Sequence, residues 1–384
     1  MQDKAKRYSN IKYSVSIVGT VYTLILLFLF LKLGLSSSLS LRLTNHTYGF
    51  LVLPVYLILI FFGYYLLEFP LNFYQSHILE HKFSLSTQSL KGWLEDQLKA
   101  GVISYIIGLI LIAAFYLILH NFPNRWWLVI SGFWIFFSII LAKVMPIVII
   151  PLFFKYKRLS DDLLREKIMR LAGKMKVKLI DCFEIDLSSK TLKGNAAFVG
   201  IGNTRRVILA DTLKDKYSHD EIEVILAHEF AHYQLRHLLK LIAINSFSTL
   251  VIFYAIFKTS DYALNLFGFS SLNDIAALPI VFIYFIIFGI ITQPLEAFIS
   301  RSFERSADLL ALEATGLKDA FISMMDKLSQ QNLADRLPHP IIKLFFFDHP
   351  PIDERIKMAR SFEEVKDDVR GAGGSSGSAE RGFN

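Results

Sequence analysis

Six long apolar segments constrain the fold of this 384-residue chain more than any other feature of its sequence. An α-helix needs about 20 apolar residues to cross the hydrocarbon core of a bilayer, and each segment is long enough, or nearly so, to form one span. The first segment is too long for a signal-peptide core, so we expect it to be retained. The sequence therefore predicts a mostly α-helical, polytopic membrane protein with about six transmembrane helices. The predicted spans cover residues 13–35, 48–67, 101–119, 126–154, 239–257 and 276–291.

The composition agrees with a membrane protein that carries a sizeable polar domain. Hydrophobic residues make up 53% of the chain, and the mean hydropathy of +0.42 is high for a soluble protein. The net charge of +7 is explained by loop charges that fix the orientation of the spans. Because no basic-aromatic recognition module is visible, we expect no nucleic-acid partner.

Hydropathy divides the chain into five regions. We expect an N-terminal membrane region of four spans with an amphipathic loop at 70–99, then a polar block, two further spans, a second polar block, and a Gly/Ser-rich linker or appended tail. A loop from Asp261 to Asp274 is expected between the last two spans. The five regions are expected at residues 1–154, 155–238, 239–292, 293–366 and 371–384.

The first polar block has an α+β pattern. Leu163 to Met175 has the spacing of an amphipathic helix, and three short runs have the composition of strands. Gly202-Asn203-Thr204 is a hairpin signal between the last two of these runs. The predicted strands cover residues 177–186, 195–200 and 205–210.

Basic residues near the ends of the spans predict the orientation of the chain. Lys and Arg cluster at the N-terminus, after the second and fourth spans and in the C-terminal block, which all fall on one side. The opposite loops hold little more than Arg42, Arg125 and Lys258. The positive-inside rule then places both termini and both polar blocks in the cytoplasm. The membrane would be the inner membrane of a prokaryote or the endoplasmic reticulum of a eukaryote.

The motif His228-Glu229-Phe230-Ala231-His232 carries the chemistry of the first polar block. The flanking residues contain no Pro or Gly and predict a helix, on which His228 and His232 lie one turn apart and can bind one metal ion. Glu229 could take a proton from a water activated by that metal. We expect this helix at the cytoplasmic face, running into the fifth span. The alternative is two hydrogen-bonded histidines and a surface glutamate on an ordinary helix.

A catalytic zinc ion needs a third protein ligand and an open position for water. Leu238 stands where an extended motif would have its third His, and the single cysteine excludes a thiolate-rich site. Glu304 and Asp308 share one face of a later helix, so one could bind zinc. The other could hydrogen-bond a ligand His or help to protonate the leaving amine. An acid pair on a solvated helix is the alternative. Weaker acidic candidates are Glu296 and Glu313.

Together these motifs resemble the type 1 CAAX prenyl endopeptidases, membrane-embedded zinc proteases that remove the last three residues of farnesylated proteins. The resemblance covers nearly the whole chain, although six spans are counted here against seven in eukaryotic members. It implies one zinc ion bound by His228, His232 and Glu304, with Glu229 as the general base, in a zincin-like α+β catalytic domain. The segments that carry it are His77–Phe83, Met145–Phe153, Asn195–Leu213, His228–His232, Phe303–Asp308 and Asp348–Ile356.

The resemblance also implies further roles. Asp308 is a candidate proton donor, and His349 could stabilise the oxyanion, although a structural turn residue before Pro350 and Pro351 is an equal alternative. One strand would lie beside the site, where an edge strand could bind extended substrate by β-addition. The residues of that strand are Asn195, Ala196, Ala197 and Phe198.

Three other functions compete with a prenyl protease. A quality-control zinc protease of the same superfamily would share the chemistry and differ in substrate. An intramembrane site-2-type protease needs a late Asp-Gly ligand, and the chain contains no Asp-Gly. A structural-zinc membrane protein would need a fourth protein ligand, for which His237 and His349 are candidates. The expected partners are the lipid bilayer and a peptide or protein substrate, which the resemblance implies to be farnesylated.

Overall fold

The spans form the frame of the molecule. In the computed structural model, which describes residues 2–200 and 205–373, six helices are long and apolar enough to cross a membrane, as the sequence predicted. Only 6% to 33% of the most apolar window of each span is buried inside the protein, so most of that surface is left for lipid. The candidate spans cover Asp3–Lys32, Gly49–Lys82, Leu90–Asn121, Trp126–Phe153, His237–Phe267 and Ile275–Thr315.

The first five helices belong to the N-terminal region: α1 (Gln2–Lys32), α2 (Leu35–His46), α3 (Gly49–Phe73), α4 (Leu90–Asn121) and α5 (Trp126–Val144). α3 and α5 each continue through a π-helical turn and a last α-helical turn. With 12 residues, α2 is too short to span a bilayer. Its Ser36 is fully buried, lies 2.6 Å from the Tyr56 hydroxyl and donates to the Ala276 carbonyl at 2.6 Å, which fixes α2 against α3 and the last span.

The helices extend beyond the predicted spans. Residues 70–82 continue α3 and residues 90–99 begin α4, so most of the expected amphipathic loop at 70–99 is helical. The expected loop from Asp261 is helical as far as Phe267. Hydropathy detects only the part of a helix that lies in lipid, whereas backbone hydrogen bonding continues into the aqueous ends.

A four-stranded sheet follows the fourth span within the described residues. Two of its four strands form a parallel pair, β2 with β4, and the other neighbours are antiparallel. In the order β1-β2-β4-β3, strand β3 lies at an edge. The predicted hairpin turn at 202–204 lies outside the described residues, and β1 was not predicted. The strands are β1 (Tyr156–Arg158), β2 (Asp181–Ile185), β3 (Ala196–Val199) and β4 (Arg206–Ala210).

The remaining helices form the rest of the polar domain and the last two spans. They are α6 (Asp162–Lys174), α7 (Asp211–Lys214), α8 (His219–Gln234), α9 (His237–Phe267), α10 (Leu278–Thr315), α11 (Lys318–Gln331), α12 (Pro340–Phe346) and α13 (Ile352–Gly373). Residues 374–384 of the predicted tail lie outside the described part of the chain. The expected boundary at residue 293 falls inside α10, which continues from the membrane into the polar domain with Pro294 in its interior.

Helix α8 carries the metal-binding motif, and local interactions define both of its ends. Ser218 and Glu221 form a capping box that satisfies two free backbone N–H groups. Arg236 adopts a left-handed conformation with φ of 56°, which interrupts the helical backbone between α8 and α9. The two helices are therefore distinct, and the motif helix leads into the fifth span through a short break at Leu235 and Arg236.

The core of the polar domain lies where α8 packs on α10. Ile222, Leu226 and Phe230 of α8 are fully buried, as are Ala307 and Ala311 of α10. The small alanine side chains let the two helix backbones approach closely, as small residues do at helix interfaces. This packing places the acidic face of α10 opposite the histidines of α8.

The N-terminal end of α1 docks on the polar domain. The Tyr8 hydroxyl donates to Glu80 Oε1 at 2.5 Å, and Lys193 Nζ lies 2.7 Å from Glu80 Oε2. Ser9 donates to the carbonyl of Leu333 at 3.4 Å. The N-terminus, the end of the second span and the first polar block therefore lie on the same side of the spans.

Candidate metal-binding active site

The structure brings the three predicted metal ligands together. His228 Nε2 and His232 Nε2 are 3.0 Å apart. Glu304 Oε2 lies 3.2 Å from the first of these nitrogens, and Glu304 Oε1 lies 3.2 Å from the second. Within the described residues, the ligand atoms of these three side chains all lie within 4.8 Å of one another, so they could hold one metal ion.

The donor set fits a divalent metal ion. Two imidazole nitrogens and one carboxylate oxygen form the ligand type of catalytic zinc sites that keep one position open. Glu304 is 5% exposed, and its Oε2 forms no hydrogen bond within the described residues. Burial alone would lower the pKa of His228, but the carboxylates of Asp308 and Glu304 raise this pKa to about 9. A buried acidic environment of this kind favours a cation.

Asp308 faces the far side of the His228 ring. Its Oδ1 lies 2.8 Å from His228 Nδ1, and the Asp308 side chain is fully buried. Arg355 donates to both Asp308 oxygens, at 2.7 Å from Nε and 2.5 Å from Nη2. Asp308 is not among the residues that line the neighbouring cavity. These contacts favour the prediction that Asp308 orients a ligand His over its alternative role as a proton donor.

His237 supports the second ligand His. Its Nδ1 lies 3.0 Å from His232 Nδ1, and its ring stacks on Phe303 with centroids 4.4 Å apart. The left-handed backbone at Arg236 turns the chain so that the first residue of α9 returns to the site. Since His237 approaches the Nδ1 side of His232, it lies outside the set of ligand atoms formed by the two Nε2 atoms and Glu304.

Glu229 and His349 face a cavity of about 640 Å³ beside the metal ligands. Glu229 is partly exposed there, as a proton acceptor needs to be. His349 Nε2 lies 3.4 Å from Glu304 Oε2, while its Nδ1 lies 2.9 Å from Asp348 Oδ1. Burial opposes the positive charge of His349, but Asp348 and Glu304 outweigh it and raise the pKa of His349. His349 is thus oriented with one nitrogen toward the site.

The predicted substrate strand borders the same cavity. Asn195 and Ala196, at the start of β3, line it together with Gly194. Ala197 follows within the same edge strand, where it pairs with Ile208 of β4. Phe198 packs edge-on against Phe230 of α8, with ring centroids 5.4 Å apart, so it anchors the strand to the helix that carries the motif.

Two buried arginines near the site were not predicted. Arg355 holds Asp308, and Arg301 donates from Nη1 to the carbonyls of Lys343 at 3.0 Å and Phe347 at 2.6 Å. Arg301 is 5% exposed and fixes the segment that leads to His349. The only sequence signal for Arg355 is its place in the segment Asp348–Ile356, and Arg301 sits in a charged run whose burial no local pattern indicates.

Two family descriptions match the chain. The model for the CAAX prenyl protease N-terminal region, described as five membrane helices, matches residues 2–155, and the model for peptidase family M48 matches residues 158–363. Within residues 2–155 the described structure contains four candidate spans and the shorter helix α2.

Three individual proteins illustrate the same similarity. An uncharacterized metalloprotease of Bacillus subtilis, YhfN, is 30% identical over 287 residues, which is 74% of this chain and 67% of that protein. CAAX prenyl protease 1 of Saccharomyces cerevisiae is 29% identical over 399 residues, covering 94% of this chain and 86% of that protein. The crystal structure of S. mikatae Ste24p superposes with a TM-score of 0.84 at 26% identity, covering 93% of this chain and 88% of that one.

Proposed function

We propose a function from the premise that this chain belongs to peptidase family M48 and is an integral, multi-pass membrane metalloendopeptidase. The resemblance inferred from the sequence is thereby confirmed. The family implies a metal ion and a peptide or protein substrate in a membrane environment.

The metal is one zinc ion per chain, bound by His228, His232 and Glu304. The observation that carries this assignment is the cluster of their ligand atoms within 4.8 Å, with Glu229 facing the adjoining cavity. When bound, zinc would lower the pKa of a water molecule toward neutrality and polarise the scissile carbonyl. A closed structural site is less well supported, because neither His237 nor His349 joins the ligand cluster.

The protein residues then carry the proton transfers of peptide hydrolysis. Glu229 accepts a proton from the attacking water and delivers it to the leaving nitrogen as the C–N bond breaks. His349 Nε2 donates a hydrogen bond to the carbonyl oxygen as it becomes anionic. Asp308, held by Arg355, keeps the His228 ring oriented toward the site. The products are a carboxylate and a protonated amine, which carries both protons of the attacking water.

The substrate is a membrane-tethered protein cleaved near its C-terminus, of the prenylated CAAX type. The similarity to CAAX prenyl protease 1 of S. cerevisiae over 94% of this chain supports it, as does edge strand β3, which could bind an extended segment. The catalytic domain is assembled from both polar blocks and faces the cytoplasm. The contacts of Tyr8 and Lys193 with Glu80 hold the catalytic domain on the side of the N-terminus. Basic residues at the ends of the spans cluster on that same side, which supports the cytoplasmic orientation.

The first test combines metal analysis with a matched pair of peptides. The purified protein is expected to hold about one zinc ion per chain, as a catalytic site requires, and to cleave a farnesylated CAAX peptide in preference to its unmodified twin. Glu229→Gln should keep the zinc and lose cleavage, whereas Glu223→Gln, on the same helix outside the cavity, should stay active. Equal cleavage of both peptides would identify a quality-control protease, and zinc without cleavage of any peptide would favour the structural-zinc alternative.

A further inference from the structure

Lys12 brings a positive charge into the cavity that holds the catalytic residues. It lies on α1 and lines the same cavity as His228, Glu229 and Asn195. Its Nζ lies 5.5 Å from the centroid of the Tyr8 ring, and in the described part of the chain no ion pair joins Lys12 to a carboxylate. The side chain is partly buried. A partly desolvated ammonium group is stabilised by an anionic partner.

The charged neighbours of Lys12 already have partners. Glu80 is paired with Lys193 at 2.7 Å and accepts from the Tyr8 hydroxyl at 2.5 Å. Lys12, Lys193 and Glu80 together sum to one positive charge, because the single carboxylate of Glu80 is already paired with Lys193. Asp335 lies on the same cavity wall, where its Oδ1 accepts from the Leu337 amide at 3.2 Å. Among the described residues, Lys12 is thus the cation of this group without a carboxylate partner, and it lines the cavity.

The direction of β3 indicates which part of a substrate would reach Lys12. The cavity is lined by Gly194, Asn195 and Ala196, where β3 begins, and Lys193 just before them contacts Tyr8 at 3.0 Å. A substrate that adds antiparallel to β3 runs from the Val199 end toward the Asn195 end. Its C-terminal portion then lies in the part of the cavity that α1 closes.

We propose that Lys12 binds the terminal carboxylate of the substrate, so that the site selects peptides with a free C-terminus a few residues beyond the scissile bond. This inference rests on the proposed function, because it takes the His228–Glu229 site to be a peptidase. A lipid phosphate would offer the same anionic chemistry at the membrane surface. The shared cavity with Glu229 favours the carboxylate of the substrate.

The test compares a peptide that ends in a carboxylate with the same peptide ending in a carboxamide. The full-length protein is assayed in nanodiscs of zwitterionic lipid, so that lipid phosphate monoesters and other anionic headgroups are absent. Since a hydrogen bond to a charged group contributes on the order of ten- to a hundredfold in affinity, we expect the wild type to favour the acid by about that factor in KM. Lys12→Gln should raise KM for the acid to the value for the amide with kcat little changed, and Lys12→Arg should retain the preference.

A control variant and a binding measurement distinguish failure of this inference from failure of the proposed function. Lys6→Gln, an exposed lysine on the same helix, is the matched control and should behave as wild type. Binding of both peptides to the inactive Glu229→Gln protein is measured by fluorescence anisotropy. Preference for the acid that depends on Lys12 would support the carboxylate site even if no peptide were cleaved. Equal binding of acid and amide, or a preference that survives Lys12→Gln, would overturn it.

Discussion

Asp308 shows how a buried carboxylate can act through a neighbouring ligand. Both of its oxygens are held by Arg355, and one faces His228 Nδ1 at 2.8 Å. A carboxylate within hydrogen-bonding distance of Nδ1 favours the tautomer with its proton on Nδ1, which leaves Nε2 for the metal. A proton donor would need access to the leaving nitrogen, whereas Asp308 is fully buried and lies outside the cavity lining.

Asp308→Asn separates the two roles. We expect this variant to bind zinc about 10- to 100-fold more weakly, because the amide removes the negative charge behind His228, and to recover activity at higher zinc concentration. Zinc affinity is measured by competition with a chelator, and a thermal unfolding midpoint checks that the variant is folded. Glu313→Gln, an exposed acid on the same helix, is the control. Unchanged zinc affinity with a lower kcat would assign Asp308 as the proton donor.

Helix α10 is both a candidate membrane span and the helix that carries the predicted ligand Glu304. The i,i+4 spacing of Glu304 and Asp308 predicted that one of them binds the metal, and the family resemblance implied Glu304. Hydropathy placed a boundary near residue 293, where apolar residues give way to polar ones. No Gly interrupts the helix between Gln293 and Thr315, and its alanine face packs on α8, so the helix continues to Gly316 with φ of 70°. Hydropathy indicates which part of a helix lies in lipid and which part lies in water, but it does not indicate where the helix ends.

Arg301 links α10 to the segment that carries His349. Arg301→Met would leave the buried carbonyls of Lys343 and Phe347 without their donor, at a cost of about 1–3 kcal/mol for each unsatisfied group. We expect lower thermal stability and a lower kcat, because His349 loses its position. Combining Arg301→Met with His349→Ala should reduce kcat no further than His349→Ala alone, since residues that act together are not additive. Arg305→Met, whose ion pair with Glu354 is exposed, is the control.

Features with a local sequence pattern could be predicted, whereas features that depend on long-range packing could not. The motif helix, the strand β3 and the six spans each have a periodic or spaced signature. The roles of Arg355, Arg301 and His237 depend on contacts between elements, such as the 47-residue separation of Arg355 from Asp308. Tyr8 and Lys193 are 185 residues apart, so no local pattern could have shown that α1 closes one side of the cavity.

The single cysteine of the chain makes its orientation testable. Cys182 is fully buried, so a membrane-impermeant maleimide should leave the native protein unlabelled. If the catalytic domain is cytoplasmic, Asn124→Cys, in the exposed turn between α4 and α5, should react in intact cells. Lys91→Cys, whose side chain is 88% exposed near the start of α4, lies on the side of the catalytic domain and should react only after permeabilisation. The reverse pattern would place the catalytic domain outside, and the basic loop residues would then not determine the orientation.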